Sequence, residues 1–268
     1  MKPGSGSQKL LYVTENSNDV NVYTYPALSY VGQLTGFDQP LFDCADKKGN
    51  VWIIDYGYGE AFKYAHGGTM PIAELTGLFS PYACAVDKNT GDLAIAENPN
   101  PGPSGYGEVA IYHKAKGSPT FYVDRNFTLA SGLAYDGSGN LWVDGFAAGD
   151  AFHYAELPAG SATFNEVSLN VTPDWPGSVV WDGHYIDVAD ITDTVYQTQG
   201  STVVNTITLN LTADQLRGYF VTPSKKQQLI AADSYGNDVA VFSYPAGGSS
   251  TQSITSGLNT PWDVVLSK

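Results

Sequence analysis

The chain has 268 residues, of which 27 are Asp or Glu and 13 are Lys or Arg, so its formal net charge is −14. This acidic balance argues against nucleic acid and anionic membrane surfaces as partners, because both bind basic protein surfaces. No apolar stretch is long enough to span a bilayer, so we predict no membrane-spanning segment.

The N-terminal segment differs from the rest of the chain. Residues 1–8 are rich in Gly and Ser and lack the apolar core of a signal peptide, so we interpret them as a flexible linker or a cloning remnant. Residues 9–268 carry one continuous repeat and are assigned to a single domain. Their abundance of Val, Ile, Thr and Tyr, with frequent Gly and Pro, is typical of all-β proteins.

A short apolar run that ends in an acidic residue recurs six times along residues 9–268. The six acids are Glu15, Asp55, Glu97, Asp144, Asp190 and Asp233. Successive acids are 40 to 47 residues apart. A strand-rich repeat of this length is typical of a propeller blade.

Each repeat contains four strand-like segments. The first segment follows a turn, as in 40–46, and the second ends in the acidic residue. The third has the alternating pattern of a half-buried strand, as in 61–64, and the fourth follows a strand pattern less strictly, as in 120–123. We therefore predict an all-β, six-bladed β-propeller with four antiparallel strands per blade. The chain begins on a second segment and ends on an unpaired first segment at 261–266. The C-terminal strand is thus predicted to complete the N-terminal blade and close the ring, which removes exposed sheet edges.

Two segments show the repeat in its clearest form, YVTENSNDVNVY at 12–23 and IAADSYGNDVAVF at 230–242. This phrase resembles the repeat of the NHL-type six-bladed propellers, a group that includes the gluconolactonase-like and virginiamycin B lyase-like families. The resemblance extends from Leu10 to Leu266. It implies the fold and says little about activity, because function depends on sites that are added to such a scaffold.

The turns that follow the six acids are predicted to form one rim around the central axis. Asp at a strand end accepts backbone N–H bonds within its turn, which is the structural interpretation of these acids. Alternatively, several carboxylates near an axis hold a hard cation such as Ca²⁺. Glu15, Glu97 and Asn98 are the candidate metal ligands, because Glu is longer than the usual Asp and an Asn follows each Glu.

Aromatic residues and one arginine are predicted on the same rim. The candidate ligand-binding residues are Tyr56, Tyr58, Tyr82, Trp175, Arg217, Tyr219, Tyr235 and Trp262. Tyr and Trp on a concave surface suit sugars, peptides or aromatic ligands, although packing between blades uses the same residue types. Arg217 is the basic residue predicted there, and it anchors an anion unless a neighbouring acid pairs with it.

The longest loop between a second and a third segment is 98–107, which is rich in Pro and Gly. We interpret it as a lid or an edge of the pocket, with an insertion of no function as the alternative.

The two cysteines, Cys44 and Cys84, both lie in apolar runs. We interpret them as buried free thiols, because free Cys is among the most buried residue types. A disulfide between neighbouring blades is the alternative, and it needs distances that a sequence does not contain.

The resemblance implies two kinds of enzyme, one with a metal held by Glu, Asn and Asp and one with a histidine base near a metal. The full metal-binding set is not matched. The four histidines, His66, His113, His153 and His184, fall on third strands or on the opposite face. We therefore predict a non-catalytic module that binds a small molecule, glycan or peptide. The alternative is a metal-dependent hydrolase, of lactonase or esterase type, or a lyase.

The abundance of Asn, Ser, Thr, Gly and Tyr, with few lysines, suits an exported surface. We expect an extracytoplasmic protein that is a monomer.

Overall fold

The computed structural model describes residue 1 and the ranges 5–98 and 105–268. Within these ranges the chain forms six antiparallel sheets of four strands each, which are the blades of a six-bladed β-propeller. Two short 3₁₀ turns, Ser5–Ser7 and His113–Ala115, accompany the strands. No helix in the described ranges has the length and apolar content needed to cross a bilayer.

The blades are numbered in chain order. Blade 1 contains β1 (Lys9–Glu15), β2 (Asp19–Tyr25), β3 (Tyr30–Thr35) and β24 (Pro261–Ser267). Blade 2 contains β4 (Pro40–Ala45), β5 (Val51–Asp55), β6 (Glu60–Tyr64) and β7 (Pro71–Thr76). Blade 3 contains β8 (Pro81–Val86), β9 (Leu93–Glu97), β10 (Glu108–Tyr112) and β11 (Thr120–Val123).

The second half of the ring follows the same order. Blade 4 contains β12 (Leu129–Tyr135), β13 (Leu141–Phe146), β14 (Phe152–Leu157) and β15 (Asn165–Glu166). Blade 5 contains β16 (Pro176–Trp181), β17 (Ile186–Asp190), β18 (Thr194–Gln199) and β19 (Thr202–Thr208). Blade 6 contains β20 (Leu216–Val221), β21 (Gln228–Asp233), β22 (Asp238–Ser243) and β23 (Gln252–Ile254).

Burial falls from the axis outward and explains the sequence pattern of each strand. The second strands, such as β5 and β9, are buried along their whole length, so both faces need apolar residues and the runs do not alternate. The fourth strands, such as β7, are largely exposed and their sequences are correspondingly loose. The core therefore consists of side chains that pack between neighbouring blades near the axis.

The ring closes through the C-terminal strand, as predicted. Strand β24 pairs antiparallel with β1, with Leu266 opposite Leu11. The Thr14 hydroxyl accepts the N–H of Asp263 at 3.0 Å and donates to the carbonyl of Leu41 at 2.6 Å, so it joins the closing strand to blade 2. The hydroxyl of Ser267 donates to the carbonyl of Gly49, which adds a second link to the same blade.

The predicted linker 1–8 is described in part, since residues 2–4 lie outside the described ranges. The carbonyl of Gln8 lies 3.0 Å from Nε2 of His66, so the end of this segment contacts blade 2.

Cys44 and Cys84 form a disulfide, so their interpretation as buried free thiols is wrong. The two residues lie on β4 and β8, the neighbouring inner strands of blades 2 and 3, with their Cα atoms 5.9 Å apart. This separation is within the range that a disulfide spans. The bond covalently joins two blades at the centre of the ring.

We predict that a chain without residues 261–268 loses the closed ring, because β1 is left as an exposed edge strand. Size-exclusion chromatography with light scattering and limited proteolysis should show self-association and rapid cleavage of this variant. Deletion of Lys268 alone, which leaves β24 intact, is the control and should behave as the full chain. A monomeric, protease-resistant variant without 261–268 would show that the closing strand is dispensable.

We predict that the double substitution Cys44→Ser and Cys84→Ser lowers the free energy of unfolding by roughly 2–4 kcal/mol, because the disulfide restricts the unfolded chain. Denaturant titration with and without a reducing agent measures this loss. The reductant should destabilise the natural chain and leave the double variant unchanged. Equal midpoints for the two proteins would contradict the stabilising role.

Candidate functional site

The first strand of every blade lines the central axis, and each begins with an irregularity in its pairing. The register shifts between Pro40 and Phe42, and at the matching place in the other five blades. A β-bulge places an extra residue opposite one partner and redirects its side chain. The bulged segments contain Tyr82 in blade 3, Arg217 in blade 6 and Trp262 in blade 1. These three predicted site residues therefore occupy equivalent positions around one mouth of the channel.

A cavity of about 460 Å³ lies at this mouth and is called the rim cavity below. Its aromatic lining residues are Tyr82, Phe146, Trp175 and Tyr235, and its polar lining residues are Ser131, Thr192, Asp214, Gln215 and Arg217. Blades 3, 4, 5 and 6 all contribute to it. The rim cavity thus exists only when the blades are assembled around the axis.

The rim cavity is lined by two oppositely charged side chains, Arg217 and Asp214, which form no ion pair with each other. The guanidinium carbon of Arg217 lies 4.5 Å from the ring centroid of Trp262, a cation–π contact between blades 6 and 1. Its Nε is buried and has no hydrogen-bond partner among the described residues. No carboxylate in the described ranges lies within ion-pair distance of it. The guanidinium is therefore oriented by an aromatic ring while its hydrogen-bond donors are not used by an acid.

Tyr82 packs beside this guanidinium. Its ring centroid lies 4.9 Å from that of Phe42. Burial raises the pKa of the Tyr82 hydroxyl, and the positive charge of Arg217 opposes part of this rise. The hydroxyl is therefore a neutral donor at physiological pH.

Two aromatic residues at the entrance are open to solvent. The side chain of Trp175 is 51% exposed and contacts the edge of Phe146 at a centroid distance of 5.2 Å, and Tyr235 is 68% exposed. Large exposed aromatic rings beside a cavity offer apolar contact area to a ligand. Sequence reasoning placed both residues on the rim, and the structure places both in the lining of the rim cavity.

The other candidate binding residues lie elsewhere. Tyr56 and Tyr58 are exposed in the turn between β5 and β6 and do not line the rim cavity. Tyr219 is not on the rim: it is buried on β20 and lines a deeper cavity of about 220 Å³ inside the channel. Its position two residues beyond Arg217 places it about 7 Å further along the strand.

Some of the lining was not predicted. Gln215 and Asp214 come from the connection into β20, and Thr192 comes from the turn after β17. These residues lie next to predicted rim residues in the sequence, and this adjacency could have identified them.

Five of the six repeat acids accept hydrogen bonds from the backbone of the loop that leads into the first strand of their own blade. Asp55 accepts the N–H groups of Asp38 and Gln39, both at 2.9 Å. Three other repeat acids accept a backbone N–H in the same way: Glu97 from Phe79 at 3.1 Å, Asp190 from Asp174 at 2.8 Å and Asp233 from Ala213 at 2.7 Å. A backbone hydrogen bond from Asn259 reaches Glu15 in the same way. These carboxylates have the structural role that strand-end acids commonly have.

The candidate metal ligands belong to blades that are not neighbours. Glu15 in blade 1 accepts from Asn21 Nδ2 at 2.7 Å, and Glu97 lies in blade 3. Asn98 uses its side-chain oxygen to accept the N–H of Ala130 at 2.9 Å, which joins blades 3 and 4. A divalent cation such as Ca²⁺ held by Glu15, Glu97 and Asn98 stays a prediction.

The loop that was interpreted as a lid lies mainly outside the described residues, since 99–104 are not described. At its far end the N–H of Gly107 donates to the carbonyl of Phe127 at 2.9 Å.

Asp144 is not a member of the rim acids, which corrects the repeat alignment. The other five acids pair with the first residue of the inner strand, as Asp55 does with Pro40, whereas Asp144 pairs with Gly132. Gly145 occupies the matching place, because β13 continues to Phe146. A one-residue offset turns a side chain to the other face of a sheet.

The carboxyl of Asp144 is fully buried as a result. A Cβ atom at Gly132 would lie 2.7 Å from both Asp144 Oδ1 and the backbone nitrogen of Val179, which cannot move aside, so only glycine fits there. Burial raises the pKa of Asp144 to about 7.

Other carboxyl groups are buried near the channel. Asp43 and Asp263 lie on neighbouring inner strands, with the N–H of Asp43 donating to Asp263 Oδ2 at 3.3 Å. Burial raises the pKa of Asp263 to about 8, and burial together with the charge of Asp263 raises that of Asp43. Burial and the nearby Glu108 raise the pKa of Glu97 to about 7.

Comparison with solved structures agrees with the strand topology. The chain matches a chain in the crystal structure of a nidogen/laminin complex with a TM-score of 0.74, 13% identity and coverage of 97% and 98% of the two chains. It matches a protein of unknown function from Bacteroides caccae with a TM-score of 0.71, 14% identity and coverage of 97% and 99%. The fold is that of the six-bladed propellers.

A streptogramin B lyase structure matches with a TM-score of 0.58 and 15% identity, over 77% of this chain and 66% of that chain. At such identities the similarity shows the fold alone. No protein-family model and no curated protein matches the sequence.

The buried acids predict a decrease in stability with rising pH. Asp144, Glu97 and Asp263 keep their protons in the folded chain to about pH 7 to 8, while the unfolded chain releases them near its ordinary pKa values of 3.8 and 4.5. The folded state therefore binds more protons between these limits, so the free energy of unfolding falls as the pH rises from about 4 to about 8. Denaturant titrations at several pH values measure this slope.

Asp144→Asn should flatten this slope and raise the stability at pH 8, because the amide keeps an oxygen acceptor and carries no charge. Asp150→Asn, at an exposed position of the same blade, is the control. A slope that is identical in Asp144→Asn and the natural chain would contradict the assignment.

Proposed function

We propose that the protein is an exported, non-catalytic binding propeller that holds a small molecule, glycan or peptide in the rim cavity through an anionic group. The observation that carries this proposal is Arg217, which stacks on Trp262 and has no carboxylate partner in the described ranges. An arginine held by an aromatic ring presents a planar set of donors that fits a carboxylate.

The lining of the rim cavity supports a ligand with an apolar or ring-shaped part beside its charge. Trp175 and Tyr235 expose large aromatic areas. A few polar groups come from Ser131, Asp214 and Gln215. Cavities that bind small molecules combine apolar walls with a small number of placed polar groups in this way. Uronic-acid sugars, aromatic carboxylates and acidic peptides all share these two features.

The side chains in and around the rim cavity indicate whether it suits binding or catalysis. No histidine lines the rim cavity among the described residues. The repeat acids Asp55, Asp190 and Asp233 already accept backbone N–H groups. These observations favour a binding site over the hydrolase or lyase alternative.

Export is supported by the disulfide between Cys44 and Cys84, because disulfides persist in oxidising compartments. The pairing of β24 with β1 completes the blade in which the two chain ends meet and leaves β1 with no open edge, which agrees with a monomer.

The proposal is tested with a panel of aromatic carboxylates, uronic-acid oligosaccharides and acidic peptides, each beside its neutral amide or neutral sugar. Calorimetry should detect binding of charged members and not of their neutral counterparts. Arg217→Gln should weaken binding by at least roughly tenfold, since a hydrogen bond to a charged group contributes about 1.5–3 kcal/mol. Trp175→Ala should weaken it as well, through the lost aromatic contact.

Arg125→Gln is the matched control. Arg125 also faces an aromatic ring, with its guanidinium carbon 6.0 Å from the Tyr106 centroid, but it does not line the rim cavity. Equal binding of charged and neutral members, or equal losses in Arg217→Gln and Arg125→Gln, would contradict an anion site at Arg217.

A further inference from the structure

Three side chains with metal-ligating atoms converge where the outer strands of blades 3 and 4 meet. Nε2 of His153, on β14, lies 3.1 Å from Oδ2 of Asp124 and 3.0 Å from Oε2 of Glu166. One ligand atom from each residue lies within 4.8 Å of the others. Among the described residues, no other group of three or more His, Cys, Asp or Glu side chains brings its ligand atoms this close together.

A neighbouring turn holds each of the three groups in place. The N–H of Asn126 donates to Asp124 Oδ1 at 2.9 Å, and its side-chain amide donates to Glu166 Oε1 at 2.8 Å. The ring of the buried Phe127 contacts the His153 imidazole edge-on, with 4.3 Å between centroids. Asn126 therefore binds one oxygen of each carboxylate and leaves the other oxygen of each directed at the same imidazole nitrogen. Such supporting hydrogen bonds are typical of metal sites.

The charges of the cluster are not balanced by the protein. Two carboxylates face a nitrogen that carries at most one proton, so a single N–H is shared between two anions. No Lys or Arg in the described ranges forms an ion pair with Asp124 or Glu166. A divalent cation would satisfy both carboxylates and the nitrogen lone pair together.

We propose that Asp124, His153 and Glu166 bind a divalent transition-metal ion, with Zn²⁺ as the best match. Zn²⁺ takes imidazole nitrogen and carboxylate oxygen at about 2.0–2.2 Å. His153 Nε2 lies 3.1 and 3.0 Å from the two carboxylate oxygens, and all three atoms lie within 4.8 Å of one another, so they can surround one ion. An imidazole ligand favours Zn²⁺ over Ca²⁺, which prefers a shell of oxygen atoms alone.

The ion has access to the site. Glu166 is half exposed, and Glu166 and His153 both line a cavity of about 190 Å³. With three protein ligands, the remaining coordination position faces this cavity, where water or a ligand group completes the shell. Because Asp124 follows blade 3 and the other two ligands belong to blade 4, the bound ion joins the two blades at their outer strands.

The test uses the full chain after dialysis against a chelator, titrated calorimetrically with Zn²⁺ and, separately, with Ca²⁺. We expect one Zn²⁺ per chain and a rise in Tm with Zn²⁺, because a ligand that binds the folded state stabilises it. His153→Gln and Glu166→Gln should each lower the affinity for Zn²⁺ by at least roughly tenfold, the scale on which even supporting groups affect metal sites. Asn126→Ala should lower it by about 10–100-fold.

His113→Gln is the matched control, since His113 is an exposed histidine that faces one acid, with Nδ1 3.0 Å from Asp92. This variant should bind Zn²⁺ as the natural chain does. Should His153→Gln fail to fold, Glu166→Gln still tests the site, because its side chain is half exposed. The proposal is overturned by an absence of Zn²⁺ binding, by tighter binding of Ca²⁺ than of Zn²⁺, or by an equal loss in His113→Gln.

Discussion

The antiparallel pairing of β24 with β1 is the contact on which the closed ring depends. It joins residues from the two ends of the chain, such as Leu11 and Leu266, so every other blade is held between them. The same strand carries Trp262, the ring against which Arg217 of blade 6 stacks. Closure of the ring therefore also sets the orientation of the guanidinium.

Most of the fold could be predicted because burial determines the sequence pattern of each strand. Second strands such as β5 are buried on both faces, so their sequences are unbroken apolar runs. The number of these runs gives the number of blades. The repeat does not determine the pairing partner of each residue. Asp144 ends an apolar run as the other acids do, yet β13 continues to Phe146, and the spacing of acids contains no sign of this extension. The disulfide was only the alternative prediction for a related reason, since the Cα separation between two blades cannot be derived from the sequence of either strand.

The candidate site was predicted in part. Tyr82, Arg217 and Trp262 were found because they follow the turn into an inner strand, where each blade has its bulge. Depth along the channel is a three-dimensional property, so Tyr219 was assigned to the rim although it is buried below it. The lack of an acid partner for Arg217 could not be predicted either. The repeat acids Asp55, Asp190 and Asp233 accept backbone N–H groups instead, and Asp214 lines the same cavity without forming an ion pair with Arg217.

The net charge of the chain opposes the anionic ligand of the proposed function, so that proposal requires more from the rim cavity than a single cation. A net charge of −14 repels an anion at long range, although salt screens this repulsion beyond about 8–10 Å. In the proposed function, a ligand at contact distance would meet a guanidinium that pairs with no acid, and the exposed rings of Trp175 and Tyr235. Charge alone therefore does not hold an anion at this surface. In the proposed function, the binding free energy is favourable only if the charged group of the ligand reaches Arg217 while its apolar part covers the aromatic rings. One molecule of matching length must therefore make both contacts.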